Sequence, residues 1–119
     1  MDATLKETLI SGGIDVDGML ERCMGSEALV VRLLKKFPAD ATFPKLVEAF
    51  ANNDAEGALT ASHTLKGVCG NLSITELFTL LDRQVATLRH GDMAGAAAMM
   101  PDITRWYTQA VETIQKNLV

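Results

Sequence analysis

Ala96, Met100, Ile103, Tyr107, Ala110 and Ile114 recur at spacings of 4, 3, 4, 3 and 4. On a helix of about 3.6 residues per turn, that spacing keeps all six side chains on one slowly drifting stripe. A strand would throw them onto alternating faces. A stripe this regular must be covered by other helices, at the shallow crossing angle of a bundle seam. Composition agrees: apolar residues make up 48% of the 119 residues but aromatics only 5%, so the core is built from Leu, Val, Ile, Met and Ala. Sheets draw more heavily on β-branched and aromatic residues.

The rest of the chain repeats the pattern in shorter pieces. Residues 1–12 read as a weak helical lead-in, punctuated by Gly12-Gly13. Residues 14–24 space Val16, Met19, Leu20, Cys23 and Met24 helically, with Asp15 as cap and Gly25 as stop. Ser26 opens a helix whose stripe is Leu29, Val30, Leu33, Leu34 and Phe37. Pro38 and Pro44 predict a break, after which Phe43, Leu46, Val47 and Phe50 resume the pattern. Asn52-Asn53-Asp54 is a turn and cap ahead of a helix over residues 55–71. Ser73-Ile74-Thr75-Glu76 reads as a capping box opening another helix, with Leu77, Leu80, Leu81, Val85 and Leu88 inward and its end near His90-Gly91. Asp92 caps the last helix, which Pro101 bends or restarts. The expected fold is all-α: one domain over residues 1–119, with a core over about 13–117. It is an up-and-down antiparallel four-helix bundle with a short extra N-terminal helix, because short connections make antiparallel neighbours.

The net charge of −4 argues against nucleic acid as the main partner. No apolar run approaches the ~20 residues of a membrane span, and the N-terminus lacks the charged-then-apolar pattern of a signal peptide. Cys23 and Cys69 both sit among apolar residues, as buried reduced thiols would, with a single disulfide between them as the alternative. These features predict a cytoplasmic protein. Neither a glycine-rich nucleotide loop, a catalytic triad pattern nor a metal-ligand spacing is present in the sequence. Haem ligation is disfavoured because Met99 and Met100 sit at core spacing. His90, at a helix C-terminus, reads as a capping residue.

One stretch stands apart. On a helix over residues 55–71, Ala58, Ala61, Leu65, Val68, Cys69 and Leu72 form the apolar stripe. His63, Gly67 and Gly70 fall within about 40° of the opposite line. Each interior glycine costs a helix about 1 kcal/mol relative to alanine. Two of them on the face of the histidine point to something that must come close to the imidazole. An imidazole nitrogen is a competent nucleophile for phosphorus. Lys66, three residues on, puts a positive charge beside any phosphoryl group that lands there. The residues alone leave two readings open: a phosphoryl-carrying histidine, or a docking patch of other use.

The run His63-Thr64-Leu65-Lys66-Gly67 with Val68-Cys69-Gly70-Asn71-Leu72 resembles the signature of histidine-containing phosphotransfer domains of bacterial multistep phosphorelays. The likeness covers about residues 13–115. It takes in Ile14-Asp15, Leu20, Arg22, Gly25, Leu29, Leu33, Leu34, Phe37, the Asn53-Asp54 turn, Leu77, Leu81-Asp82 and the Gly91-Asp92 turn. The sequence departs from the family at Ser73-Ile74, where glycine and a small residue are frequent, and at Pro38 with Pro44.

The resemblance implies a carrier without catalysis of its own. His63 would take a phosphoryl group from a receiver-domain aspartate and pass it to another. Lys66 would steady the phosphohistidine, and Gly67 and Gly70 would admit the partner. No cofactor is expected on this chain, because the Mg²⁺ of the transfer would sit on the receiver. The implied partners are response-regulator receiver domains and a hybrid sensor kinase, met by a monomer. A histidine-kinase dimerisation domain fits less well, since Thr64 stands where an acidic residue is usual. A helical interaction module that is never phosphorylated would use the same docking face.

Overall fold

A computed structural model describes residues 1–118; Val119, the last residue of the expected domain, lies outside it. The described chain is all-helical. In order come α1 (Ala3–Ser11), α2 (Val16–Arg22), α3 (Glu27–Leu34), a 3₁₀ turn (Phe37–Ala39), α4 (Thr42–Ala51), α5 (Ala55–Asn71), α6 (Thr75–Arg89), α7 (Met93–Ala98) and α8 (Met100–Asn117). An isolated antiparallel bridge joins Ile14 to Ile74. Among the described residues no helix is long and apolar enough to cross a membrane.

Five helices start the same way. The side chains of Asp2, Asp15, Ser26, Asp54 and Asp92 accept hydrogen bonds from the backbone N–H groups of Leu5, Gly18, Leu29, Gly57 and Gly95. Each such cap contributes about 1 kcal/mol. In the three Asp-x-x-Gly cases a Cβ on the glycine would collide with the capping carboxylate.

The prolines act as breaks. Pro38 sits in the 3₁₀ turn, and Pro44 lies in the first turn of α4, where no intrahelical donor is lost. The expected final helix is split at Met99, so Asp92 caps α7 while Pro101 lies in the first turn of α8.

Three sequence readings need correction. Ser73 does not cap α6: that helix begins at Thr75 with Ile74 at the cap position and no side-chain cap bond. Ser73 instead takes φ +54. Its N–H donates to the Gly70 carbonyl and that of Ile74 donates to the Cys69 carbonyl. That pair of bonds is the left-handed closure of a helix C-terminus, so the residue ends α5 instead of starting α6. Met24 is no core residue. It follows the end of α2 with φ +55 and stands 95% exposed. Val47 is 44% exposed, and Ala49 takes the buried position beside Leu46.

The main core joins Leu9, Ile14, Val16, Met19, Val30, Leu34, Phe37 and Leu46 to Leu65, Cys69, Leu77, Leu81, Ile103 and Ile114. A smaller cluster, Ala49, Ala58, Leu88 and Ala96, closes the end where α5 begins and α6 finishes. Tyr107 stacks on Phe43 with ring centroids 3.8 Å apart and meets Phe37 at 5.5 Å. α5 packs between α4 and α6. α6 also meets α7 and α8, and α8 meets α1 and the 3₁₀ turn.

Candidate functional site

α5 presents two unlike faces. Ala58, Ala61, Leu65 and Cys69 are buried, whereas His63, Thr64 and Gly67 are exposed. The buried side is fixed by α4 and α6. Full burial of a leucine such as Leu65 contributes about 1.5–3 kcal/mol, so the helix cannot turn to hide His63 without losing more than it gains.

Around the imidazole the surroundings are uneven. Gly67, about 6 Å further along the helix axis, has open space where a Cβ would be: nothing lies within 4 Å. Gly70 differs. A Cβ there would sit 3.3 Å from the Phe78 ring, and its carbonyl accepts a hydrogen bond from Arg22. Of the two glycines expected to admit a partner, Gly67 is the open one. Gly70 is half-buried, and its missing side chain makes room for Phe78.

Lys66 reaches across to the neighbouring helix. Its Nζ lies 3.4 Å from Oδ1 of Asp82 on α6, with the lysine side chain 20% exposed and the aspartate 60%. An exposed pair of this kind contributes at most about 1 kcal/mol. It does decide where the ammonium points. The structure gives Lys66 a partner that helical spacing alone does not reveal.

Beneath the site runs a buried polar chain. Ser62, next to His63, donates from its hydroxyl to Oε1 of Gln84 at 2.8 Å. The Gln84 amide donates to the Ala96 carbonyl at 3.0 Å and lies 3.3 Å from the Met100 sulfur. Ser62 and Gln84 are fully buried, so this chain ties α5, α6 and the start of the α7–α8 arm together. Their signal in the sequence is a polar residue at an apolar spacing. Ser62 falls four residues after Ala58 and seven before Cys69, and Gln84 falls seven after Leu77 and four before Leu88.

An open groove of about 550 Å³ runs between α4 and α5, lined by Lys45, Glu48, Asn52, Thr60 and Thr64 among others. It borders the exposed face of α5 through Thr60 and Thr64. Cys69 lies on the opposite side, and burial, with a smaller effect of Asp40, pushes its thiol up to about 12. A buried thiol that holds its proton so tightly is no nucleophile at ordinary pH. Cys23 and Cys69 are both free. His90 is exposed at the C-cap of α6. Among the described residues no group of three or more His, Cys, Asp or Glu could hold a metal ion.

The site therefore offers one exposed imidazole on a rigid helix, a lysine one turn away and a bare backbone patch beside it. A scan of protein-family models, a search of curated proteins and a search of solved structures each gave no match.

Proposed function

We propose that the chain is a histidine phosphotransfer module. His63 takes a phosphoryl group from the aspartyl phosphate of one receiver domain and passes it to the aspartate of another. The observation that carries this reading is the exposed His63 of α5 with open space over Gly67 and the Lys66 ammonium one turn on. A ring nitrogen attacks phosphorus as the acyl O–P bond breaks. The aspartate leaves as carboxylate, and the ring releases its proton to solvent. Lys66 offsets the charge on the new N–P group. The acidic residues and Mg²⁺ belong to the receiver, so this chain works as a carrier inside a relay that includes a hybrid sensor kinase.

The same reading takes the architecture as an up-and-down antiparallel four-helix bundle, with the broken α3–3₁₀–α4 arm, α5, α6 and the α7–α8 arm as its members and the short N-terminal α1–α2 segment as the extra helix. Neighbouring pairs α4–α5, α5–α6 and α6–α8, with α8 returning to the 3₁₀ turn, support a closed ring. It also makes the protein a cytoplasmic monomer that meets its partners through the α5–α6 hairpin. Here Gly67 supplies the approach, and Gly70 contributes by letting Phe78 close the hairpin.

The test is incubation with a receiver domain carrying radiolabelled aspartyl phosphate. Label is expected to move onto the chain in an acid-labile, base-stable form and to be lost in His63→Gln. Label retained by His63→Gln, or no transfer from any receiver of a panel, refutes the proposal. In the second case a folded chain that still binds a receiver would be an interaction module that is never phosphorylated.

A further inference from the structure

Lys66 is not free to serve His63 alone. Its ammonium sits 3.4 Å from an Asp82 carboxylate oxygen, on a side chain that α6 holds beside α5. His63 and Lys66 are three residues apart, about 4.5 Å along the axis and about 60° around it. A phosphoryl group on His63 and the carboxylate of Asp82 would thus be two anions competing for one cation. The carboxylate is 60% exposed and can turn toward water when the lysine leaves it. The lysine side chain is only 20% exposed.

Resting on the phosphotransfer reading, we infer that Asp82 is a positioning residue that acts through Lys66. It holds the ammonium toward α6 while His63 is empty and takes back part of the lysine's charge when His63 is phosphorylated. The consequence is a deliberately weakened phosphohistidine. A carrier must release what it accepts, and a lysine committed wholly to the phosphoryl group would retain it. Asp82 keeps the group transferable, so its removal shifts the relay equilibrium toward the loaded carrier. Exposed ion pairs couple by up to about 1 kcal/mol, so the effect is about two- to fivefold.

Phosphoramidate tests this without a protein partner: its P–N bond breaks as the ring N–P bond forms, ammonia leaves and the ring sheds its proton to solvent. The ³¹P resonance of the loaded protein is then titrated from about pH 5 to about pH 8, across the second ionisation of the phosphoryl group at about pH 6. Asp82→Asn is expected to raise the acid dissociation constant of the phosphoryl group about two- to fivefold, because an unshared ammonium favours the dianion. Asp82→Glu should stay near the parent value. In a Lys66→Gln background the effect of Asp82→Asn should shrink by at least half. An unchanged constant in Asp82→Asn, or an equal change with and without Lys66, overturns the inference while leaving His63 as carrier. Failure of phosphoramidate to label His63 in the folded parent protein removes the phosphotransfer reading itself. A circular dichroism melt checks that Asp82→Asn, an exposed change, keeps the fold.

Discussion

Replacing Gly67 by alanine should make the protein more stable. Gly67 lies in the interior of α5, and a Cβ there meets nothing within 4 Å. Glycine at such a position costs about 0.8–1.0 kcal/mol relative to alanine, and no clash offsets the gain. For a domain of this size that is a rise of about 3–6 °C in Tm. Gly70→Ala is the internal control. The same propensity gain is opposed there by the Phe78 ring at 3.3 Å, so its net gain should be under half that of Gly67→Ala. Gly67→Gln keeps about half the propensity gain but places a long side chain over the approach to His63. It should unfold no earlier than the parent and slow transfer from a phosphorylated receiver at least tenfold. Thermal and urea unfolding followed at 222 nm give the stabilities, and label transfer gives the rate. A loss of stability in Gly67→Ala would refute the open face. A parent-like rate in a folded Gly67→Gln would refute the role given to that space.

Two further outcomes test the fold around the site. Ser73→Gly should raise stability by about 0.5–1 kcal/mol, because φ +54 is a conformation that costs a residue with a Cβ about 1 kcal/mol or more; a lower urea midpoint would show that the serine hydroxyl has a structural partner worth more than the strain. Burial lifts the Cys69 thiol from an ordinary 9.0 to about 12. The unfolded chain therefore sheds that proton first as pH rises. The thiol's contribution to stability is complete below pH 9 and is lost between pH 9 and 12, a total of at most about 4 kcal/mol at 1.36 kcal/mol per unit. Tyr107, also raised by burial, acts in the same direction. Urea midpoints from pH 8 to 11 should fall more steeply in the parent than in Cys69→Ala, and equal slopes would contradict the assignment.

The helix that carries His63 was legible because two independent signals agree on it. Asp54 caps its start, and an apolar stripe runs to its end. Asp15, Ser26 and Asp92 worked in the same way. Ser73 failed because serine locally favours an N-cap over a left-handed turn, and the closure of α5 imposes φ +54 on it all the same. Met24 failed because apolar spacing continues past a turn that backbone dihedrals end. What stayed hidden is tertiary. Lys66–Asp82 and Ser62–Gln84 join residues 16 and 22 positions apart, and whether they meet depends on how α6 lies along α5. Phe78 over Gly70 is of the same kind. His63 and Gly67 are close in sequence, so their sharing the exposed face of α5 could be read directly, whereas the turn of Lys66 toward α6 could not.

The Ser62–Gln84 bond has a consequence for alignment. Leucines and alanines tolerate sliding: α6 could slip along α5 by one turn, about 5.4 Å, and still bury apolar side chains. Gln84 could not. A slipped amide would lose Ser62, and each stranded buried polar group costs about 1–3 kcal/mol. The network thus selects one register of the hairpin. A glutamine that never touches the imidazole helps to set which side chains of α6 lie beside it.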